Sequence, residues 1–516
     1  MKPGPERRRL AALLLALGCG LICASISRGW LVYGDDVLLF QVTEAIATRG
    51  ELAVTSPFEE GDVARAIRGH DGRGYSKYGL GLSVVALPAY AAGGWRGAPW
   101  RDLEEVRDPE GNLRSGSRVL AAGLTNAVVG GAAAGAFFLL ATAVGIAFWP
   151  AALAAVALAL ASPLAHYAAG FLTEPLSGLC LLLVALGLVA ASRGERGWPG
   201  ALLSGAAAGL AVATKVANLL LVLPAVVWLL WLLRSRHRAG WRWRPVLAAL
   251  VAWFLPFLAW LGAVAWVNRV RFGSVWETGY GAEARSFGTP LAEGIGGLLL
   301  SPGRGLLWYW PAAFVALAGL VRLARRAPAL ASYAASTFLL SLLLYGRYYQ
   351  WYGGGAWGPR FLMPVLPLLG LGLALLAERA GRSRPALAAF VLTTLAGLLL
   401  SALTVVRSVE SQMTTELLGD PQTLAASLWE PGSSPLAAQA RLVGTDLPPA
   451  ELPFALRAPG ALRWRALAAP LLWDLDIAAV RYRSWPLLRW SYTTAAIGLA
   501  ALAAALWLAR RPRGAG

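Results

Sequence analysis

The chain is poor in the residues that mark most soluble metalloproteins and redox enzymes. Its 516 residues include three cysteines, three histidines and three methionines. Cys19 and Cys23 sit four apart in one apolar run and Cys180 in another, so burial as small hydrophobes is expected for all three. His70, His166 and His237 are scattered without HxxxH or CxxC spacing, and no soft-ligand metal site is legible. Charge is scarce: 14% of the residues are charged, against about 25% in an ordinary soluble chain. No glycine-rich strand–helix loop, internal repeat or low-complexity tail is present, which argues against a nucleotide-sugar domain and a repeat array. Lysine is the scarcest charge. It occurs only as Lys2, Lys77 and Lys215, leaving 43 of the 46 basic residues as arginine.

What is present is apolar and comes in blocks. Hydrophobic residues make up 57% and mean hydropathy is +0.56. Residues 10–26, 246–267, 361–376, 385–406 and 487–508 each run for about the 17–25 residues that cross ~30 Å of hydrocarbon. Segments in lipid must satisfy their own backbone, so these blocks are expected to be helices. The fold class expected is an all-α polytopic membrane protein of about twelve transmembrane helices, with the active site in extracytoplasmic loops. The first block follows Arg7, Arg8 and Arg9. It is longer than a secretory h-region and lacks a clean cleavage site, and it reads as a retained signal anchor.

The formal net charge is +18, and its distribution gives a topology. Arginines cluster at 7–9, 193–196, 234–244, 322–326, 379–384 and 510–513, in short connections or tails that the positive-inside rule assigns to the cytoplasm. Residues 32–77, 268–304 and 407–485 then face outward, together with the shorter 346–360. The charge excess is thus a topology signal, and no nucleic-acid partner is implied. Both termini fall inside, which requires an even number of crossings. Thirteen apolar candidates are visible, and three of them (80–95, 119–141 and 148–167) must supply two crossings. The chain divides into a transmembrane module over 1–406 with its first outer loop at 32–77, an outer segment over 407–486, and a final helix and basic tail over 487–516. Many of the 23 tryptophans stand at block ends, as interfacial anchors do.

Four motifs carry chemistry. Tyr33-Gly34-Asp35-Asp36 follows the first span; a helix cap explains one carboxylate and leaves the other free, as a solvated loop acid or a catalytic one. Lys77, in Gly74-Tyr75-Ser76-Lys77-Tyr78-Gly79, and Lys215, in Ala213-Thr214-Lys215-Val216, stand at outer ends of apolar runs. Simple snorkelling would be served by the arginine used everywhere else, whereas a compact ammonium suits a phosphate. Glu174, in Phe171-Leu172-Thr173-Glu174-Pro175, opens a span; a favourable place on the helix dipole accounts for it equally well. The run from Trp351 through Tyr352, three glycines, Ala356, Trp357, Gly358 and Pro359 to Arg360 combines glycines with two indoles and a guanidinium. Such a loop can stack a sugar and hold a phosphate, or simply anchor at the interface. Arg360, and Arg304 in Ser301-Pro302-Gly303-Arg304-Gly305, break the positive-inside trend on the outer face.

Taken in order, these segments, with Phe272-Gly273-Ser274 and Thr278-Gly279-Tyr280, resemble the glycosyltransferase C superfamily. The resemblance points to bacterial polyprenyl-phosphate-sugar-dependent enzymes related to protein O-mannosyltransferases and the lipid A aminoarabinose transferase. It covers about residues 10–376 and rests on order and sidedness rather than on one motif. It implies a catalytic acid in the first outer loop, Asp35 or Asp36, and inversion at the anomeric carbon of a lipid-phosphate-linked sugar. The family's pair is usually Asp-Glu, and the Asp-Asp here leaves open which acid acts. Lys77, Glu174 and Lys215 match positions lining the family's cavity, and Arg304, Trp351, Trp357, Arg360 and Tyr280 are further candidates for donor-phosphate or substrate binding. The partners implied are a polyprenyl-phosphate-linked sugar donor, the lipid bilayer, and an acceptor in the cell envelope that is a glycan, lipid or protein. The location implied is the plasma (inner) membrane. No cofactor is identified, and a need for a divalent cation is left open. Competing classes are a transporter or lipid flippase, which would place its charges at the midplane between repeats, and an O-antigen-ligase-like glycan transferase. The outer segment, with Trp429, Trp464 and Trp473, is a candidate acceptor-selecting region or a tether.

Overall fold

A computed structural model describes residues 4–27, 29–31, 34–56, 65–101, 103, 105–107, 111–193, 197–238, 243–406, 421–442 and 485–510. Tyr33, Trp464, Trp473 and most of the late outer segment lie outside the described residues. Nine described helices are long and apolar enough to cross a membrane, and three shorter apolar ones accompany them. The chain is a multi-pass membrane protein.

The first span is α1 (Pro5–Ser25). After it comes α2 (Gly34–Arg49), which opens the first outer segment. The apolar stretch 80–95 then folds as two short helices, α3 (Gly81–Val85) and α4 (Leu87–Gly93). They join at Ala86, just before Pro88, and neither is long enough to span at 1.5 Å per residue. This stretch is the surplus candidate. The segment between the first two spans therefore runs from residue 32 to residue 116 rather than ending at Lys77. It carries two small antiparallel hairpins, Ile67–Arg68 with Gly74–Tyr75 and Val106–Arg107 with Leu113–Ser115. A buried triad fixes α2 on this segment: Gln41 donates to Asn112 Oδ1 at 2.9 Å, and the Ser56 hydroxyl donates to Gln41 Oε1 at 3.0 Å.

The remaining helices build the bundle. They are α5 (Ser117–Ala143), α6 (Phe148–Leu160) with the short α7 (Leu164–Ala168), α8 (Glu174–Arg193), α9 (Trp198–Thr214), α10 (Asn218–Arg238) and α11 (Trp243–Phe272). Next come α12 (Leu291–Leu300), α13 (Leu306–Tyr309), α14 (Ala313–Arg326), α15 (Pro328–Arg347), α16 (Leu366–Ala380) and α17 (Arg384–Val406). Two short helices of the late segment, α18 (Pro421–Trp429) and α19 (Pro435–Leu442), precede the last span, α20 (Trp485–Arg510). Helices α5, α8 and α16 form the interior, while α11 and α17 turn residues such as Leu255 and Leu399 outward, as lipid-facing helices do. Small residues let helices approach closely: a Cβ on Gly131 of α5 would meet Ala16 O of α1 at 2.2 Å. Cys19, Cys23 and Cys180 are buried thiols.

The bundle has two chemically distinct ends. At one end Arg7 donates to Leu508 O at 3.1 Å, so the described starts and finishes of α1 and α20 share a side, as an even number of crossings requires. Arg193 at the end of α8 donates to Ala143 O, and Arg326 at the end of α14 pairs with Glu378 near the end of α16 at 2.8 Å. These are the arginine-rich connections. The opposite ends of α8 and α16 begin at Glu174 and, through the 3-10 stretch Arg360–Val365, at Arg360.

Candidate active site

Asp35 and Asp36 lie in the first turn of α2 rather than ahead of it. Neighbours on a helix point about 100° apart. Asp36 is turned into the interior at 3% exposure, while the Asp35 side chain keeps 24%. Asp35 Oδ2 accepts from Arg360 Nη2 at 2.5 Å, and its Oδ1 accepts from the Tyr78 hydroxyl. Arg360 Nε donates to Glu174 Oε1 at 2.8 Å, and Lys215 Nζ stands 3.5 Å from that same oxygen. Four charges separated widely in sequence thus form one alternating chain, Asp35–Arg360–Glu174–Lys215. Two carboxylates and two cations balance, which is the condition for holding ions at this depth. Glu174 is fully enclosed, so its place at a helix start serves these cations as well as the dipole. Lys215 Nζ also lies 4.7 Å from the Phe361 ring and 5.3 Å from the Tyr345 ring, within cation–π range.

The two outer-end lysines are brought together by backbone contact. Lys77 precedes Gly79 and Gly81, whose added Cβ atoms would meet Ala213 O at 2.3 Å and Thr214 Oγ1 at 2.1 Å. Only glycine permits the Lys77 loop to lie this close to the turn that carries Lys215. Arg271, at the end of α11, clamps the same loop. Its Nη1 donates to Ser76 O at 3.0 Å and Tyr78 O at 2.9 Å, the carbonyls on either side of Lys77. Lys77 Nζ donates to both oxygens of Glu283, at 2.6 and 2.8 Å, with the Tyr280 ring 5.5 Å away and the Tyr78 ring 5.8 Å away.

The field around Asp35 decides its protonation. Burial by itself would raise the carboxyl, but the Arg360 guanidinium, the Tyr78 hydroxyl bond and Lys77 outweigh it, and the group is held below the usual aspartate range. Burial and the nearby Asp35 charge push the Tyr78 and Tyr280 phenols up, so both remain neutral hydroxyls. The arrangement offers a permanent carboxylate, phenolic hydroxyls and three cations around one region. Such a set can take a proton from a hydroxyl and stabilise a leaving anion. Among the described residues, no three His, Cys, Asp or Glu side chains converge to hold a metal ion.

The other sequence candidates fall elsewhere. Arg304 is buried at the turn before α13, where it donates to Gly303 O at 2.8 Å and Gly354 O at 3.4 Å. It lies beneath α18, whose Leu428 carbonyl accepts from the Ser301 hydroxyl at 2.6 Å. Trp351 and Trp357, expected as sugar-stacking indoles, are 3% and 2% exposed. Trp351 packs against Gly297 and Trp429, and Trp357 lies between His166 and Tyr309. In this geometry both rings are packing elements of the loop. Arg360 is the residue of that loop that reaches the charge chain.

Tyr78, Arg271 and Glu283 are site residues that sequence reading passed over. Tyr78 is adjacent to Lys77 and could have been named with it. Arg271 lies on the outer side by the charge reading and breaks the positive-inside trend as Arg304 and Arg360 do, so the same signal was available. Glu283, in the 3-10 turn Gly281–Arg285, gave none. It is one acid in a mixed segment, and its partner is 206 positions away.

The fold is similar to that of a solved membrane-protein structure. In particular, the chain superposes on the crystal structure of ArnT from Cupriavidus metallidurans bound to undecaprenyl phosphate with a TM-score of 0.50 and 16% identity, over 95% of this chain and 77% of that one. The S. cerevisiae protein O-mannosyltransferase Pmt1–Pmt2 complex bound to the sugar donor gives a TM-score of 0.38 at 14% identity, over 56% and 36% of the two chains. Archaeoglobus fulgidus oligosaccharyltransferase AglB, in complex with an inhibitory peptide and a dolichol-phosphate, gives 0.44 at 13%, over 83% and 60%. At 16% identity the likeness to the ArnT structure is one of fold alone. No protein-family model matches the chain. No curated protein matches it either.

Proposed function

We propose that the protein is an inverting glycosyltransferase that moves a sugar from a polyprenyl-phosphate donor to a hydroxyl on the outer side of the plasma membrane. The observation that carries this reading is the Asp35–Arg360–Glu174–Lys215 chain beside Lys77, at the end of the bundle opposite the arginine-rich connections. A donor of this class needs no nucleotide domain, and its phosphate is already a leaving group whose developing charge calls for fixed cations.

In this mechanism the acceptor oxygen attacks the anomeric carbon from the face opposite the phosphate. The bond from that carbon to the phosphate oxygen breaks, and its electron pair leaves with polyprenyl phosphate. The acceptor proton passes to Asp35, which supplies the carboxylate form because Arg360, Tyr78 and Lys77 hold it ionised. Asp35 is favoured over Asp36 because it faces these groups, whereas Asp36 is turned inward. Lys77, Lys215 and Arg360 supply the positive field for the phosphate, and the acceptor is a glycan, lipid or protein of the envelope.

The test is sugar transfer by purified protein from a panel of polyprenyl-phosphate sugars. Asp35→Asn should lower turnover by about 10²–10⁴-fold with donor affinity retained, because the carboxylate acts in the transition state. Asp36→Asn should leave more activity than Asp35→Asn. Near-normal turnover in Asp35→Asn would remove the assignment.

A further inference from the structure

Lys77 meets a carboxylate where the proposed function requires it to meet a phosphate. Both Glu283 oxygens accept from its ammonium, at 2.6 and 2.8 Å, and Tyr78 and Tyr280 flank the pair. Two short charge-assisted bonds from one carboxylate offer Lys77 much of what two phosphate oxygens would. The pair is enclosed on the lysine side and more open on the other: side-chain exposure is 17% for Lys77 and 35% for Glu283. Glu283 stands on a five-residue 3-10 turn entered through Gly279 and Gly281, both at positive φ (80° and 51°). The Lys77 backbone, in contrast, is held by Arg271 and by the glycine contact with Thr214. Within the pair, the lysine is the fixed member and the glutamate stands on the lighter support.

We infer that Glu283 is a resident competitor for the phosphate site: it neutralises Lys77 in the empty enzyme, yields to the donor, and returns to help expel the product. This rests on the proposed function and goes beyond it, because it concerns what happens after transfer. The donor is a phosphodiester with one negative charge. The product is a phosphomonoester whose second ionisation falls near pH 6, so at neutral pH it carries close to two. A site built only of cations would therefore hold its product more tightly than its donor. A carboxylate that recaptures Lys77 opposes that retention, and its effect is larger on the dianion because the two negative charges repel it more strongly.

The experiment compares wild type, Glu283→Gln, Lys77→Met and the double variant, using undecaprenyl phosphate binding and single- against multiple-turnover transfer. Glu283→Gln keeps the side-chain shape and removes the charge. It should bind undecaprenyl phosphate about tenfold more tightly, and its steady-state turnover should fall below its own single-turnover rate through product inhibition. In the Lys77→Met background the same change should tighten binding far less, because only the direct repulsion of Glu283 remains to be relieved. Equal or weaker binding by Glu283→Gln, with wild type binding normally, would make Glu283 a simple orienting partner of Lys77 and overturn the inference alone. Failure of wild type to bind any polyprenyl phosphate would overturn the functional reading with it.

Discussion

At the scale of single residues, Arg360 is the link on which the charge chain depends. It bonds Asp35 and Glu174 simultaneously, so its loss strands two carboxylates that burial penalises. Asp35 lies below its ordinary value because cations outweigh burial. Its carboxylate is therefore fully present above the unbound aspartate value of about 3.9 and is lost only as pH falls through the depressed value. Wild-type activity should accordingly show no acid limb from Asp35 above about pH 4. Arg360→Gln removes the leading cation and leaves the desolvation, so the acid limb should move to higher pH. A pH profile of kcat/KM for the two proteins checks the sign. The lysines make a second case. Lys215 is fitted between the Glu174 carboxylate and the Phe361 and Tyr345 rings, a place shaped for a compact ammonium. Lys215→Arg should lose about 10²–10³ in rate despite keeping its charge, and Lys77→Arg should lose less. Wild-type rates for both would return these residues to simple interfacial anchoring.

At the scale of elements, the contact of the Lys77 loop with the α9–α10 turn is the joint of the site. Gly79 lies on the backbone carbonyls of Ala213 and Thr214, and Gly81 on the Thr214 hydroxyl with the Thr214 backbone behind it at 2.7 Å, so turning the hydroxyl aside would not clear the contact. Gly81→Ala should force the two lysines apart, destabilise the fold by about 1–3 kcal/mol and cost activity well beyond that loss. Thermal unfolding alongside steady-state kinetics separates the two effects. This joint also explains what the sequence could reveal. Lys77 and Lys215 were legible because each is a lone lysine in a chain that otherwise uses arginine, and Asp35, Glu174 and Arg360 because each stands at an apolar block's end. The pairings were not legible. Asp35 and Arg360 are 325 positions apart, and the ring stack of Tyr345 on Phe361 beneath Lys215 depends on where α15 ends. Spans read from hydropathy were nearly complete, yet hydropathy could not distinguish a crossing from α3 and α4, whose combined apolar run breaks before Pro88.

At the scale of the whole molecule, the bundle separates its charges by end: arginines on carbonyls and Glu378 at one end, the alternating acid–base chain at the other. If the arginine end is cytoplasmic, a cysteine placed at Ala440, exposed on α19, should react with an impermeant thiol reagent in intact cells, and one placed at Gly240 should not. Labelling at 240 but not at 440 would invert the topology and the functional reading with it. The three natural cysteines now acquire a practical meaning. Because Cys19, Cys23 and Cys180 are all enclosed in the bundle, the unaltered protein should be silent to water-borne maleimides, and any single introduced thiol should report from its own address without a cysteine-less background.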